Sequence, residues 1–311
     1  MKILLTTLPG LVEAVVKELT EKGFSAIRIV KPSHVVTELN PKEASKLRTI
    51  EGFSQIIQET FLEKVETRII RLTLRRVFKE LEEEKYRPEA RVYGKCFNNR
   101  FLEKIAAREL VRTLGNEVLD KEGRKILLIL DCENKHLLVT LKLNKKPLHL
   151  REYYLMKHPT PLNPLIAAAI PYLSPKNYKI VYDPFTGSGT IPIEYYLIRR
   201  VKTLASDINK RFVKATIVNS QKAGAHVDVF SADVRKTPVR DIELVTTDPP
   251  RKNPSVLKPL MKNTPNDLCL VTPYNPDKLA EKYGLKPVKK VKTRQAKKVI
   301  YIIYYMKSMC E

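Results

Sequence analysis

Apolar positions in this chain keep two rhythms, alternate and every third or fourth, and the switches between them mark the elements. Ile3–Thr7 is a short apolar run that predicts a strand. Through 11–22, Val12, Val15, Val16 and Leu19 recur at helical spacing, and Gly23 stops the helix. Ala26–Val30 and Val35–Leu39 predict further strands, 43–51 and 54–59 short helices, and 67–72 a strand. Helical spacing returns in 74–84 with Val77, Phe78 and Leu81. Ala90–Lys95 then predicts a strand, Phe101–Leu114 a helix, and Lys125–Cys132 and His136–Leu143 a hairpin joined through Glu133-Asn134-Lys135. Pro147, Pro159, Pro161 and Pro164 mark a boundary before an apolar helix at Leu165–Leu173. Beyond it, short apolar strands run into Asp183, Asp207, Asp233 and Asp248, and the last two strands cover 286–291 and 298–306.

Composition narrows the function classes. A chain of 311 residues is long enough for two or three cores. No apolar stretch reaches transmembrane length, and Met1-Lys2 leads straight into the first strand, so a soluble cytoplasmic protein is expected. Cys96, Cys132, Cys269 and Cys310 are scattered, forming neither a metal pair nor a disulfide framework, which fits a reducing compartment. The five histidines show no ligand spacing, so no metal is expected. With 57 Lys plus Arg against 34 Asp plus Glu the formal charge is +23, which favours a polyanionic partner. The densest segment, Lys286 to Lys298, carries Lys289, Lys290, Lys292, Arg294 and Lys297 with no acid. Nucleic acid is the expected partner, with thermophilic lysine enrichment as the competing explanation.

The chemistry concentrates at Val181-Tyr182-Asp183-Pro184-Phe185-Thr186-Gly187-Ser188-Gly189-Thr190, a strand that enters a glycine turn and a helix. Gly187 and Gly189 allow backbone angles and a close approach that a Cβ would block. No Gly-Lys-Ser/Thr follows, so this is not a phosphate-binding P-loop. Asp207, at the end of the next strand, is placed to accept both hydroxyls of a ribose, and Asp233 to accept from an adenine amine. Two consecutive prolines stiffen Asp248-Pro249-Pro250, holding the Asp248 carboxylate and the Pro249 carbonyl as fixed acceptors. Such a pair orients a conjugated amine, whose lone pair is otherwise delocalised.

These residues resemble class I S-adenosylmethionine-dependent methyltransferases, and Asp248-Pro249-Pro250 resembles the motif of those acting on exocyclic or amide nitrogens. The resemblance implies an α/β fold: a C-terminal Rossmann-like seven-stranded sheet preceded by α+β ferredoxin-like and THUMP domains. It implies S-adenosylmethionine as cofactor, with Asp183, Phe185, Gly187, Gly189, Thr190, Asp207 and Asp233 as its site. Asp248, Pro249 and Pro250 become the catalytic motif. The family places an aromatic and then a glycine after the prolines, whereas this chain has Arg251 and Lys252, assigned to substrate. Phe185 and Tyr274 are candidates for the missing ring.

The first 150 residues resemble an N-terminal ferredoxin-like domain followed by a THUMP RNA-binding domain, through Leu8-Pro9-Gly10-Leu11, Arg91-Val92-Tyr93-Gly94-Lys95 and the two closing strands. Lys95, Arg100, Lys104 and Arg108 would contact phosphates. Arg151 and His158-Pro159-Thr160-Pro161-Leu162 resemble the segment before the catalytic domain in THUMP-containing guanine-N2 methyltransferases, which adds Arg151 to the substrate residues. The expected domains are 1–65 (ferredoxin-like), 66–150 (THUMP), 151–173 (linker and leading helix) and 174–311 (methyltransferase). Within the family, the form is nearest the archaeal tRNA guanosine-6 enzymes and bacterial ribosomal RNA relatives. The resemblance thus implies formation of N2-methylguanosine at tRNA position 6, and a monomer is the expected state. Position 10 or ribosomal RNA stays open, as does a tRNA-binding protein that retains the cofactor fold without transfer.

Overall fold

The computed structural model describes residues 1–82, 84–236, 239–250, 256, 258–260, 267–283, 285–295 and 298–306. The first part runs β1 (Lys2–Thr6), α1 (Val12–Glu21), β2 (Ala26–Val30), β3 (His34–Glu38), α2 (Pro41–Ala44), β4 (Gly52–Phe61), α3 (Thr67–Phe78), β5 (Tyr86–Tyr93), α4 (Asn99–Leu114), β6 (Arg124–Asp131) and β7 (His136–Lys142). Its seven strands form one sheet in the order β2-β3-β1-β4-β7-β6-β5.

Three expectations are corrected here. Segment 54–59 is not helical but lies in β4, where Ser54 to Phe61 pair antiparallel with Lys142 to His136 of β7. Long-range pairing decides this segment, whose local pattern is ambiguous. Segment 67–72 is not a strand but the start of α3, because Ile70, Leu74, Val77 and Phe78 make one continuous helical stripe that is buried. Cys96 and Cys132 are joined in a disulfide. The parallel pairing of β5 with β6 sets Tyr93 beside Asp131 and so brings the residues just beyond both strand ends together.

The second part runs α5 (Pro164–Leu173), β8 (Ile180–Asp183), α6 (Thr190–Arg199), β9 (Lys202–Asp207), α7 (Lys210–Ala223), β10 (Asp228–Ser231), β11 (Leu244–Thr247), β12 (Asp267–Thr272), α8 (Pro276–Tyr283), β13 (Lys286–Gln295) and β14 (Lys298–Met306). The second sheet has the order β10-β9-β8-β11-β12-β14-β13. Pairings from β10 to β12 are parallel, and β14 and β13 add antiparallel. Both faces of the central strands are covered, so consecutive residues of β11 and of β12 are all buried. Val181, Leu244, Val271 and Ile302 pack with the wholly buried α5 on one face, and Tyr182, Val245, Leu270 and Ile303 form the core of the other.

The chain divides into two compact units that are not sequential. One comprises Met1–Leu5, Val36–Lys46 and Gly52–Lys146. The other takes Thr6–Val35 and Leu47–Glu51 together with everything from Pro147 onward. Leu11 and Ala14 explain the first inclusion, since both are buried in the same core as α5.

Candidate active site

The strand order reverses between β8 and β11, which opens a crevice above their carboxyl ends. β8 delivers Asp183, which is 2% exposed. Its Oδ1 accepts from Thr247 Oγ1 at 2.6 Å and from the Phe185 amide at 3.0 Å. Burial, with the neighbouring Asp207 and Asp248 carboxylates, pushes this carboxyl up to about 7 against the pull of those two donors.

The glycine turn follows directly. Gly187 and Gly189 have φ of +57° and +86°, and a Cβ on Gly189 would stand 3.0 Å from both Ile193 Cδ1 and Thr216 Cγ2. Gly189 therefore shapes the turn and lets α6 lie close to α7, rather than lining the crevice. The Gly187 amide donates to Asp207 Oδ2 at 3.1 Å, and the Asn209 amide to Asp207 Oδ1 at 2.9 Å. The β9 carboxylate is thereby fixed over the turn, with lone pairs left to accept hydroxyls. Asp233 has a different setting: the Arg235 guanidinium and amide hold its carboxylate, down to about 2. Asp248, Pro249 and Pro250, just beyond β11, line the same crevice. It has a volume of about 870 Å³ and also reaches Asp183, Phe185, Gly187, Thr190, Asp207 and Asp233.

Residues 151–251 match the family model described as "RMKL-like, methyltransferase domain". Over 51 residues the chain is 47% identical to the tRNA (guanine(6)-N2)-methyltransferase of Methanocaldococcus jannaschii, a match covering 16% of this chain and only 13% of that relative. A possible methylase from Clostridium difficile 630 has the same fold with a TM-score of 0.82 at 17% identity, over 100% of this chain and 99% of that one. TrmN from Thermus thermophilus follows at 0.80 and 20%, over 98% and 99%. A predicted N6-adenine-specific DNA methylase from Listeria monocytogenes gives 0.77 and 18%, over 98% and 96%. The fold is that of a class I S-adenosylmethionine-dependent methyltransferase.

The crevice fits that cofactor. Asp183, Asp207 and Asp248 line it, which suits a ligand carrying a sulfonium and an ammonium group. Ser188 Oγ is buried in the wall with no hydrogen-bond partner among the described residues, so a polar ligand has a group to satisfy there. The glycine turn leaves room for a close approach: a Cβ added at Gly187 would meet, among the described residues, just the His158 ring at 3.6 Å.

Two residues beside the glycine turn were not assigned to the site from sequence. His158 packs its ring on Phe212 at 4.5 Å, and its Nδ1 accepts from the Thr160 amide at 3.1 Å, which leaves the ring proton on Nε2. The proline-rich run around His158 signalled a boundary, and the structure brings that boundary to the crevice. Asn219 on α7 donates to Ser188 O and Met156 O and accepts from the Leu155 and Met156 amides, tying the linker to the glycine turn. Nothing in its sequence context marks it.

Glu194 on α6 is fully buried and bound by Arg48 through two bonds of 2.7 and 2.8 Å, by Arg151 at 2.9 Å and by Tyr153 at 2.9 Å. Arg151 also donates to Leu148 O and Arg48 O. The structure thus places Arg151 in a buried hub, with its guanidinium committed to protein acceptors. Beside it, Tyr154 shares a 2.6 Å bond with Thr190 Oγ1, so the hub holds the first residue of α6. Arg251 and Lys252 lie outside the described residues. Lys95, Arg100, Lys104 and Arg108 are exposed in the other unit, the last three at i, i+4 and i+8 on one face of α4. Among the described residues, no helix is long and apolar enough to cross a membrane and no acidic, His or Cys cluster could hold a metal.

Proposed function

We propose that this protein methylates the exocyclic N2 of a guanosine in tRNA, at position 6 of the acceptor stem. The observation that carries the reading is Asp248-Pro249-Pro250 at the carboxyl end of β11, on the wall of the crevice that also holds Asp183 and Asp207. S-adenosylmethionine supplies an electrophilic sulfonium methyl when bound. The Asp207 carboxylate would accept from its ribose, and Asp233 from its adenine amine. Thr190 and Phe185 would line its remaining surface. Asp248 and the Pro249 carbonyl would take the two amine hydrogens of guanine, turn the nitrogen lone pair toward the methyl, and stabilise the positive charge that develops there. The proton then leaves to Asp248 or water. Arg251 and Lys252 would hold the flipped base or its phosphate.

Position 6 rests on the M. jannaschii relative, and RNA as substrate on that relative together with the +23 charge. Residues 1–150, read as a ferredoxin-like domain (1–65) and a THUMP domain (66–150), would dock the acceptor end through Lys95, Arg100, Lys104 and Arg108. The protein would act as a cytoplasmic monomer. The test is methyl transfer from labelled S-adenosylmethionine to unmodified total tRNA, with product nucleosides identified by mass spectrometry and Asp248→Ala as control. N2-methylguanosine that disappears in the variant is the expected result. No methylated nucleoside in tRNA or ribosomal RNA, with cofactor bound, would refute catalysis.

A further inference from the structure

We infer that the outer face of β13 is the track on which the substrate RNA backbone lies as it approaches the methyl-transfer crevice. β13 is the edge strand of the second sheet, and its residues alternate strictly in exposure. Lys286, Val288, Lys290, Lys292 and Arg294 are exposed, while Val291 and Thr293 between them are buried. Alternate strand residues stand about 6.7 Å apart on one face, so this face carries a row of cations. Neither β13 nor β14 contains an acidic residue. Lys290 is paired with Asp277, but Lys286, Lys292 and Arg294 have no carboxylate partner among the described residues.

The row has a direction. At its end, Gln295 and Lys298 line the crevice together with Asp248 and Pro249. Gln295 donates to Pro161 O, while its Oε1 is buried without a partner among the described residues. Directly across from Lys292 on β14 is Tyr301, half-buried, which gives the row an aromatic surface for a base. Row, ring and crevice belong to one compact unit. Lysines on an edge strand also serve to prevent strand addition. Here the turn at Gly10 already covers the edge at Lys292, since a Cβ on Gly10 would lie 2.0 Å from Lys292 O. The free cations are left for an anionic partner, and the adjoining crevice makes that partner the substrate strand.

This track rests on the reading of the protein as an RNA methyltransferase, and the experiment separates the two. Full-length wild type, the double variant Lys292→Gln/Arg294→Gln and a control of equal charge loss, Lys202→Gln/Lys222→Gln, are compared. For each, tRNA affinity is measured across a salt series, with S-adenosylmethionine affinity and methyl-transfer kinetics. The track variant should bind tRNA roughly tenfold more weakly, and its log K against log salt slope should fall by about 0.7–0.9 per cation removed. KM for tRNA should rise with kcat and cofactor affinity unchanged, while the control keeps the wild-type slope. A wild type that methylates tRNA, with track and control variants showing the same slope and KM, would overturn the track and leave the function standing. A wild type that neither binds nor methylates RNA would overturn both.

Discussion

Asp183 sits at the floor of the crevice with two donors on one oxygen and two other carboxylates nearby, and its titration follows from that setting. Its carboxyl is raised in the native protein from 3.8 to about 7. The native state therefore holds a proton that the unfolded chain has already lost between those values. Its stability contribution is complete below about 4 and is lost as pH rises through about 7. Denaturation of the ligand-free protein across that window should show this slope, and Asp183→Asn should flatten it. A cationic cofactor favours the ionised form, so S-adenosylmethionine affinity should fall by up to tenfold per pH unit below about 7, and calorimetry should find proton release on binding. The same variant should lose this dependence. At the neighbouring strand end, Asp248→Asn should lower kcat by roughly 100- to 1000-fold, because the acceptor that orients the amine and stabilises its developing charge is lost. Which of these aspartates share a crevice was legible from their places at successive strand ends. That burial pushes the Asp183 carboxyl up to about 7 was not, since burial belongs to the assembled sheet.

At the scale of elements, α6 shows what local pattern leaves out. Thr190–Arg199 reads as an apolar helix with a glutamate inside it. The structure makes Glu194 the anchor for Arg48, Arg151 and Tyr153, residues distant in sequence that meet on one carboxylate. Ion-pair attraction and hydrogen bonding hold Glu194 below the usual carboxylate range despite burial. Glu194→Ala should destabilise the protein by about 3–5 kcal/mol, because two guanidinium groups lose their buried partner. Thermal melts would register this as a large drop in Tm, whereas Glu194→Gln should recover part of it by keeping the hydrogen bonds. The two mistaken elements have related causes. β4 is a strand because β7 pairs with it, and 67–72 is helical because the stripe that begins at Ile70 runs on to Phe78. Both facts lie beyond a six-residue window.

The whole molecule is organised by early chain segments that belong to the same compact unit as the residues from Pro147 onward. α1 and residues 47–51 belong with the methyltransferase sheet, through Leu11 and Ala14 in the α5 core and Arg48 on Glu194. A fragment beginning at Pro147 should therefore lack a cooperative melt by circular dichroism, whereas the full chain should show one. A stable, S-adenosylmethionine-binding fragment would refute this dependence. Hydrophobic period, glycines, prolines and charge by themselves determined the strand, glycine turn and helix from Val181 to Thr190, the strands that run into Asp207 and Asp248, and the basic character of the protein, because each is a local property of the backbone or of charge. Tertiary structure alone decided that Arg151 is a buried partner of Glu194, that His158 and Asn219 reach the glycine turn, and that a lysine-rich segment becomes one face of an edge strand leading to Asp248. Each of these depends on which distant residues the folded chain brings within a few ångströms, and that distance is not encoded in any short stretch of sequence.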